Sequence, residues 1–146
     1  MSLTQQLTDD MKAALKAKDA DSLTTIRYLL SQIKNAQIDG AGDDDASIQK
    51  IIAAQVKKSQ DAITDFVKAG RQDLVDIEQQ KISQMKKYLP AQLDDAQLEQ
   101  IIQQLKQELG SNIDTGRLIG QVMKKVGTQA DGHRVKELVT KLASQS

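Results

Sequence analysis

Basic side chains and two glycines recur in one short stretch near the carboxyl end of the chain. Gly116 and Gly120 are four residues apart, so in a helix they share a face and allow another backbone to approach closely. Lysine and arginine at helical spacing beside them can contact phosphate as charged donors. The stretch therefore has the residue types for weak binding of a nucleic acid. The candidate contacts are Gly116, Arg117, Gly120, Lys124, Lys125, His133, Arg134 and Lys136.

Both features of this stretch also have a simpler interpretation. A glycine inside a helix costs about 1 kcal/mol relative to alanine, and we favour a tight helix–helix contact within the domain as its reason at Gly116 and Gly120. Residues 115–146 carry a net charge of +4 (6 − 2), whereas residues 94–114 carry −4 (1 − 5). The basic helices and their N-termini either receive phosphate or form a solvated face that the preceding acidic helix partly neutralises.

The sequence contains no recognisable catalytic or metal-binding motif. His133 is the sole histidine, cysteine is absent, and neither a nucleophile elbow nor a phosphate-binding loop is present. The aspartates at 43–45 lack a closing carboxylate at the spacing a calcium loop requires, so we expect them to cap the next helix. Arg71 and Asp73 are expected to form an ion pair that fixes a turn, although a functional Arg71 is an alternative. We expect no catalytic residue, metal or cofactor, and no enzymatic activity from the chain alone.

Apolar residues recur every three to four positions along most of the chain, and no strand-like alternation is found. The pattern predicts an all-α protein, with an N-terminal helical bundle of four helices followed by a small three-helix C-terminal domain. Because Pro90 cannot continue a helix, we place the boundary after it, giving domains at 1–90 and 94–146. The polar residues 57–60 predict that one side of the third helix faces water. The helices are predicted near 3–18, 21–39, 46–69, 73–89, 95–109, 115–126 and 132–143.

Composition limits the class of protein further. Of the 146 residues only 2% are aromatic, so the core must be aliphatic, and the net charge is zero. No apolar run approaches the roughly 20 residues that span a bilayer. The start of the chain lacks the basic and apolar regions of a secretory signal. We therefore expect a cytoplasmic protein with no membrane partner.

Several short motifs resemble those of a known family. They are Met-Lys-x-Ala-x-Lys with Leu-x-x-Ile-Arg between Met11 and Arg27, Arg71–Val75, Tyr88-Leu89-Pro90-x-Gln92-Leu93, Gly116-x-x-x-Gly120-x-Val122-Met123, and Ala130-Asp131-Gly132. On these motifs the chain resembles the YqeY-like proteins of the GatB/YqeY group over nearly its full length. The resemblance implies a helical bundle followed by a smaller three-helix domain.

The same resemblance suggests a function. The C-terminal part is similar to the tail domain of the B subunit of the tRNA-dependent amidotransferase, a carbon–nitrogen ligase with glutamine as amido donor. That tail is implicated in holding tRNA. We therefore expect a weak tRNA-binding accessory module without its own active site, and a translation-related protein is a second candidate partner. The alternative is a protein-interaction module with no RNA role. Gly127-Thr128-Gln129 stands where relatives usually carry a Lys-Gly-Lys run, and Thr115 replaces a common methionine, so two positive charges are missing.

Overall fold

Most residues of the protein are helical in the computed structural model, which describes residues 2–110 and 112–144. These residues form seven α-helices and no strand, which confirms the predicted all-α class. Residues 1, 111, 145 and 146, which the predicted domain ranges include, lie outside the described residues. The helices are α1 (Leu3–Lys16), α2 (Ala20–Ile38), α3 (Asp45–Lys68), α4 (Gln72–Lys86), α5 (Asp95–Leu109), α6 (Thr115–Val126) and α7 (Gly132–Ser144), with a 3₁₀ turn at Gly127–Gln129.

Acidic side chains cap the N-termini of several of these helices, as the sequence predicts. Asp44 caps α3 by accepting from the Ser47 amide at 3.3 Å and the Ser47 hydroxyl at 2.6 Å. Its neighbour Asp45 accepts from the Leu3 amide of α1 at 3.0 Å. Asp94 and Gln97 form a capping box at the start of α5. Asp44 and Asp45 thus bond to groups in the first turns of helices, which is the use expected for this loop.

The chain divides into two compact units, Met1–Leu89 and Pro90–Ser146. Whether these units fold independently, as the predicted domains 1–90 and 94–146 would, stays a prediction. In the first unit α1 packs on α2, and α3 packs along α4 after a turn at Gly70, whose φ of +70° is typical of a glycine that ends a helix in the left-handed conformation. The core of this unit consists of Leu3, Leu7, Ile26, Leu29, Ile33, Ile48, Ile52, Val56, Met85 and Tyr88.

The turn between α3 and α4 is fixed by an exposed ion pair. Arg71 donates to Asp73 through Nε at 3.0 Å and Nη2 at 2.9 Å, so the contact is bidentate. The hydrogen bonds to Asp73 raise the pKa of Arg71, and those from Arg71 lower the pKa of Asp73. This geometry favours the turn-fixing interpretation of Arg71 over a functional one.

Helix α4 ends at Lys86, earlier than the predicted Leu89. The amides of Lys87, Tyr88 and Leu89 each bond to the carbonyl three residues back, so the chain tightens before Pro90. The tightened turn places Tyr88 in the core, where its hydroxyl donates to Asp10 of α1 at 2.6 Å. Burial, and then the bond to Asp10, raise the pKa of Tyr88, which keeps it protonated as a donor.

The polar residues 57–60 of α3 are divided between solvent and core. Lys57 and Lys58 are exposed, as predicted for one side of this helix, whereas Ser59 is buried at 9% exposure. The reason is geometrical, because Ser59 lies three and four positions after Val56 and Gln55, which are both buried. The buried face of α3 thus continues through a polar residue.

The second unit has a separate aliphatic core built from α5, α6, α7 and the turn before α7. The segment that leads into it is held by hydrogen bonds. Gln92 donates through Nε2 to the carbonyls of Pro90 at 2.9 Å and Thr128 at 3.0 Å, and the Leu93 amide donates to the Gln129 carbonyl at 2.9 Å. The core residues of the second unit are Leu98, Ile102, Leu105, Leu118, Val122, Val126, Ala130, Val135, Leu138 and Val139.

Candidate nucleic-acid interface

The glycines of α6 lie on its exposed face. A Cβ built on Gly120 would meet nothing within 4 Å, and one on Gly116 would meet Asp114 Oδ1 at 3.4 Å. The tight helix–helix contact that we favoured is therefore wrong for both residues, because the apolar face of α6 that packs inward is formed by Leu118, Val122 and Val126. Because Gly116 and Gly120 have no side chains, the backbone of α6 is accessible from outside the unit.

Two basic residues, Arg117 and Lys124, lie beside these glycines on the exposed side of α6, and Lys125 lies further around the helix. Arg117, Lys124 and Lys125 are all exposed. At 1.5 Å per residue, Arg117 and Lys124 are separated by about 10 Å along the helix axis. Arg117 lines an open depression with Leu109, Gly110, Asn112 and Ile113, whereas Lys124 and Lys125 lie in the last turn of the helix.

The N-termini of α6 and α7 are occupied by aspartates. Asp114 Oδ1 accepts from the Arg117 amide at 2.7 Å, and Asp131 Oδ1 accepts from the Arg134 amide at 2.8 Å. A carboxylate at this position satisfies the free amides and repels a second anion. Phosphate binding at these helix ends, which the sequence suggested, is therefore disfavoured, and the basic side chains carry whatever attraction exists.

The basic residues of α7 differ in their surroundings. Arg134 is paired with Asp95 of α5, through Nε and Nη2, each 2.9 Å from Oδ1. This ion pair partly neutralises the basic residues of α7 through the acidic helix α5, which is one of the two interpretations that the sequence left open. His133 and Lys136 are exposed and line a shallow depression with Glu137, Thr140 and Lys141.

The end of α6 and the start of α7 lie close together. A Cβ on Gly132 would be 3.9 Å from Met123 Cε, so the first turn of α7 lies beside the second half of α6. Lys124, Lys125 and His133 are thus brought to one end of the unit, while Arg117 stays at the other end of α6. The candidates form an open, discontinuous surface with no enclosing pocket.

A set of polar residues in the first unit was not singled out by sequence. Thr25, Gln55 and Ser59 are buried, and they line one cavity between α2, α3 and α4. The available signal was spacing, because Gln55 and Ser59 are four residues apart beside the apolar stripe of α3. Periodicity marks such positions only as ambiguous, since it cannot tell a polar core residue from a solvated one.

The described part of the chain lacks two other kinds of functional element. None of its helices is both long and apolar enough to cross a membrane. Within residues 2–110 and 112–144, no three histidine, cysteine, aspartate or glutamate side chains lie together as metal ligands would.

The chain is similar to several fungal proteins named "Altered inheritance of mitochondria protein 41, mitochondrial". The protein from Clavispora lusitaniae is 33% identical over 127 residues, which cover 85% of this chain and 74% of the relative. That from Lachancea thermotolerans is 37% identical over 110 residues, covering 69% and 58%. That from Vanderwaltozyma polyspora is 33% identical over 113 residues, covering 72% and 61%. The chain thus spans about three fifths to three quarters of the relatives' lengths.

These names contradict the predicted cytoplasmic location, because the relatives are named as mitochondrial proteins. The prediction was drawn from the lack of a secretory signal and of a membrane-spanning run. Neither feature distinguishes the cytoplasm from an organelle interior, so that reasoning was insufficient.

The family comparison covers almost the whole chain. The family model described as "Yqey-like protein" matches residues 4–142, which include most of both compact units and every candidate contact residue. The motifs between Met11 and Gly132 lie inside this match. The chain therefore belongs to the YqeY-like protein family.

Proposed function

We propose that the second unit is a weak tRNA-binding module of an accessory protein without an active site of its own. The observation that carries this proposal is the exposed glycine face of α6, flanked by Arg117 and Lys124. Two exposed glycines cost helix stability without serving the internal packing, so an external partner is a reason to keep them. A phosphate backbone beside basic side chains fits such a face.

The strength of binding follows from the charges that remain available. Arg134 is held by Asp95, so Arg117, Lys124, Lys125 and Lys136 are the main cations toward phosphate. With about three to four phosphates neutralised, affinity should fall roughly 20- to 150-fold between about 50 and 200 mM salt. Sequence preference should be low, since α6 and α7 contain no phenylalanine, tyrosine or tryptophan for base stacking.

A titration of labelled bulk tRNA at two salt concentrations tests the proposal. Lys124→Glu/Lys125→Glu should weaken binding at low salt at least tenfold, because two phosphate contacts become repulsive. The matched control is Lys57→Glu/Lys58→Glu, which changes an exposed lysine pair of the first unit by the same charge and should bind like wild type. Equal loss in both variants would mean that only net charge matters. Equal binding by all three proteins, or no dependence on salt, would remove the RNA function.

The role of the glycines needs its own variant. Gly120→Gln places a neutral, helix-compatible side chain on the open face and should weaken tRNA binding about tenfold while the helix content is kept. Gln121→Ala alters the exposed neighbour and is the control. If Gly120→Gln binds tRNA as wild type does, backbone approach is not part of the interaction.

A protein-interaction module with no RNA role is the alternative, and one observation favours it. Large apolar side chains are exposed on the first unit, including Ile38 at 74% and Val67 at 60%. A translation-related protein is the partner class that the family resemblance suggests. Affinity capture with and without ribonuclease separates the two functions: a partner lost after ribonuclease supports RNA, and a partner retained supports direct protein contact.

The proposed absence of an active site is tested separately. Purified protein should hydrolyse neither glutamine nor ATP above background. Activity that disappears on mutation of one specific residue would contradict this part of the proposal.

A further inference from the structure

Buried polar side chains converge on one cavity of the first unit. Among the described residues, those that are buried and polar are Thr25, Gln55 and Ser59, at 5%, 6% and 9% exposure. All three line a cavity of about 300 Å³ between α2, α3 and α4. Polar groups are costly in an aliphatic core unless they are hydrogen-bonded. Their convergence on one hollow is typical of a binding site for a small polar molecule.

The orientation of Gln55 is fixed by a neighbour. The Tyr28 hydroxyl donates to Gln55 Oε1 at 2.8 Å, which leaves the amide nitrogen of Gln55 as a donor. Thr25 and Ser59 add hydroxyls that can donate or accept. The polar wall can therefore bond a carboxylate or an amide.

The wall also carries charges of both signs. Lys81 Nζ lies 3.1 Å from Glu78 Oε1, and the Glu78 side chain is only 15% exposed. Lys58, which is exposed, lines the same cavity. A carboxylate that is removed from water, such as that of Glu78, is stabilised by a second cation. The Glu78 carboxylate has lone pairs that its bond to Lys81 does not use. The cavity thus offers an acidic partner and a basic partner to one ligand.

The dimensions and the remaining wall narrow the class of ligand. Ala62 and Met85 supply an apolar side, and at about 30 Å³ per water-sized atom the cavity holds on the order of ten non-hydrogen atoms. An adjoining cavity of about 220 Å³ shares Thr25 and Lys81 and is lined by Gln84. The amide of Gln84 donates to Ser22 Oγ at 3.0 Å, and its buried Oε1 has no donor among the described residues.

We propose that this cavity binds a free α-amino acid as its zwitterion. The ligand ammonium would bind Glu78, and its carboxylate would bind Lys58 together with the Gln55 amide. A short side chain would lie toward Ala62 and Met85. A zwitterion can pair with both the acidic and the basic side chains of the cavity wall, whereas a simple carboxylate or amine can pair with only one of them.

The test is titration of the full chain with each of the common amino acids, followed by two-dimensional NMR of the backbone amides. At least one amino acid should give saturable shifts at residues of the cavity. For that amino acid, the matched amino alcohol and the matched acid without the amino group should each bind at least tenfold more weakly. These comparisons use the wild-type protein and so do not depend on the folding of a variant.

Variants then locate the site. Ala62→Leu should abolish binding by filling the cavity, and Gln55→Leu should weaken it about tenfold or more. Glu78→Gln should weaken the amino acid about tenfold but should not weaken the acid without the amino group, because the ammonium contact is lost while Lys81 is released from its ion pair. Thr64→Val, on an exposed position of α3, is the control and should bind like wild type.

The following results would overturn the assignment. One is that no amino acid shifts the cavity residues at about 10 mM, a concentration that detects even millimolar affinity. Another is that Ala62→Leu, shown to be folded by its NMR spectrum, binds as wild type does. A third is that the acid without the amino group binds as tightly as the amino acid, which would make the ligand a plain carboxylate.

Discussion

Gly120 is the residue at which stability and proposed function oppose each other. It lies in the interior of α6, its backbone is helical, and a methyl group added to its Cα would meet open space. Evolution toward stability alone would favour alanine there. The presence of glycine is therefore informative about what touches this face.

We predict that Gly120→Ala raises the free energy of unfolding of the second unit by roughly 0.5–1 kcal/mol. The added methyl meets no atom within 4 Å, so no strain offsets the gain in helix propensity. Chemical denaturation followed by circular dichroism measures the change. Gly127→Ala is the contrasting variant, because Gly127 has a φ of +57°, and it should destabilise instead. A loss of stability in Gly120→Ala would show that the face is not open.

At the scale of the helices, the sequence predicted most of the architecture. Helix starts follow from local bonds such as the Asp94–Gln97 box, which involve residues three apart and can be read directly. The burial of Ser59 and the exposure of Gly120 could not be predicted in this way. Both depend on which neighbouring helix covers a face, and periodicity does not contain that information.

The features of the candidate site likewise divide into those that the sequence predicts and those that depend on how the helices pack. The basic residues and glycines of α6 could be identified from residue type and spacing. The pairing of Arg134 with Asp95 joins positions 39 apart in sequence, so it depends on how α5 and α7 pack. The polar cavity of the first unit likewise draws its walls from three helices.

The Asp44 cap of α3 should make the stability of the protein depend on pH. Hydrogen bonds from Ser47 lower the pKa of Asp44 below its ordinary value. Because the folded-state pKa is lower than the unfolded one, the charged cap stabilises the protein above about pH 4, and this contribution is lost as pH falls through the folded-state pKa. Melting temperatures between about pH 7 and pH 2 should therefore fall less steeply for Asp44→Asn than for wild type.

Asp43→Asn is the matched control for that measurement, since it removes the neighbouring carboxylate and leaves the cap in place. It should keep the wild-type acid dependence. If Asp43→Asn and Asp44→Asn change the profile equally, the effect comes from general charge and not from the cap.

For the whole molecule, we predict that residues 1–89 and 90–146 fold as separate fragments. Each unit has its own apolar core, and chains of about 55–65 residues can fold alone when their core is complete. The NMR spectra of the two fragments, added together, should reproduce most of the spectrum of the full chain. A fragment ending at residue 80 is the control and should be unfolded, because it lacks Met85 and Tyr88 of the first core. An unfolded 90–146 fragment would contradict the prediction.

The bond between Tyr88 and Asp10 joins residues 78 positions apart. A ribosome adds about 5–20 residues per second, so roughly 4–16 seconds pass between the synthesis of the two partners. During this interval Leu3 and Leu7 of α1 have been synthesised without the Met85 and Tyr88 side chains that complete their core. The apolar face of α1 therefore waits for its partners during synthesis, and a pause in translation before Tyr88 would prolong that exposure.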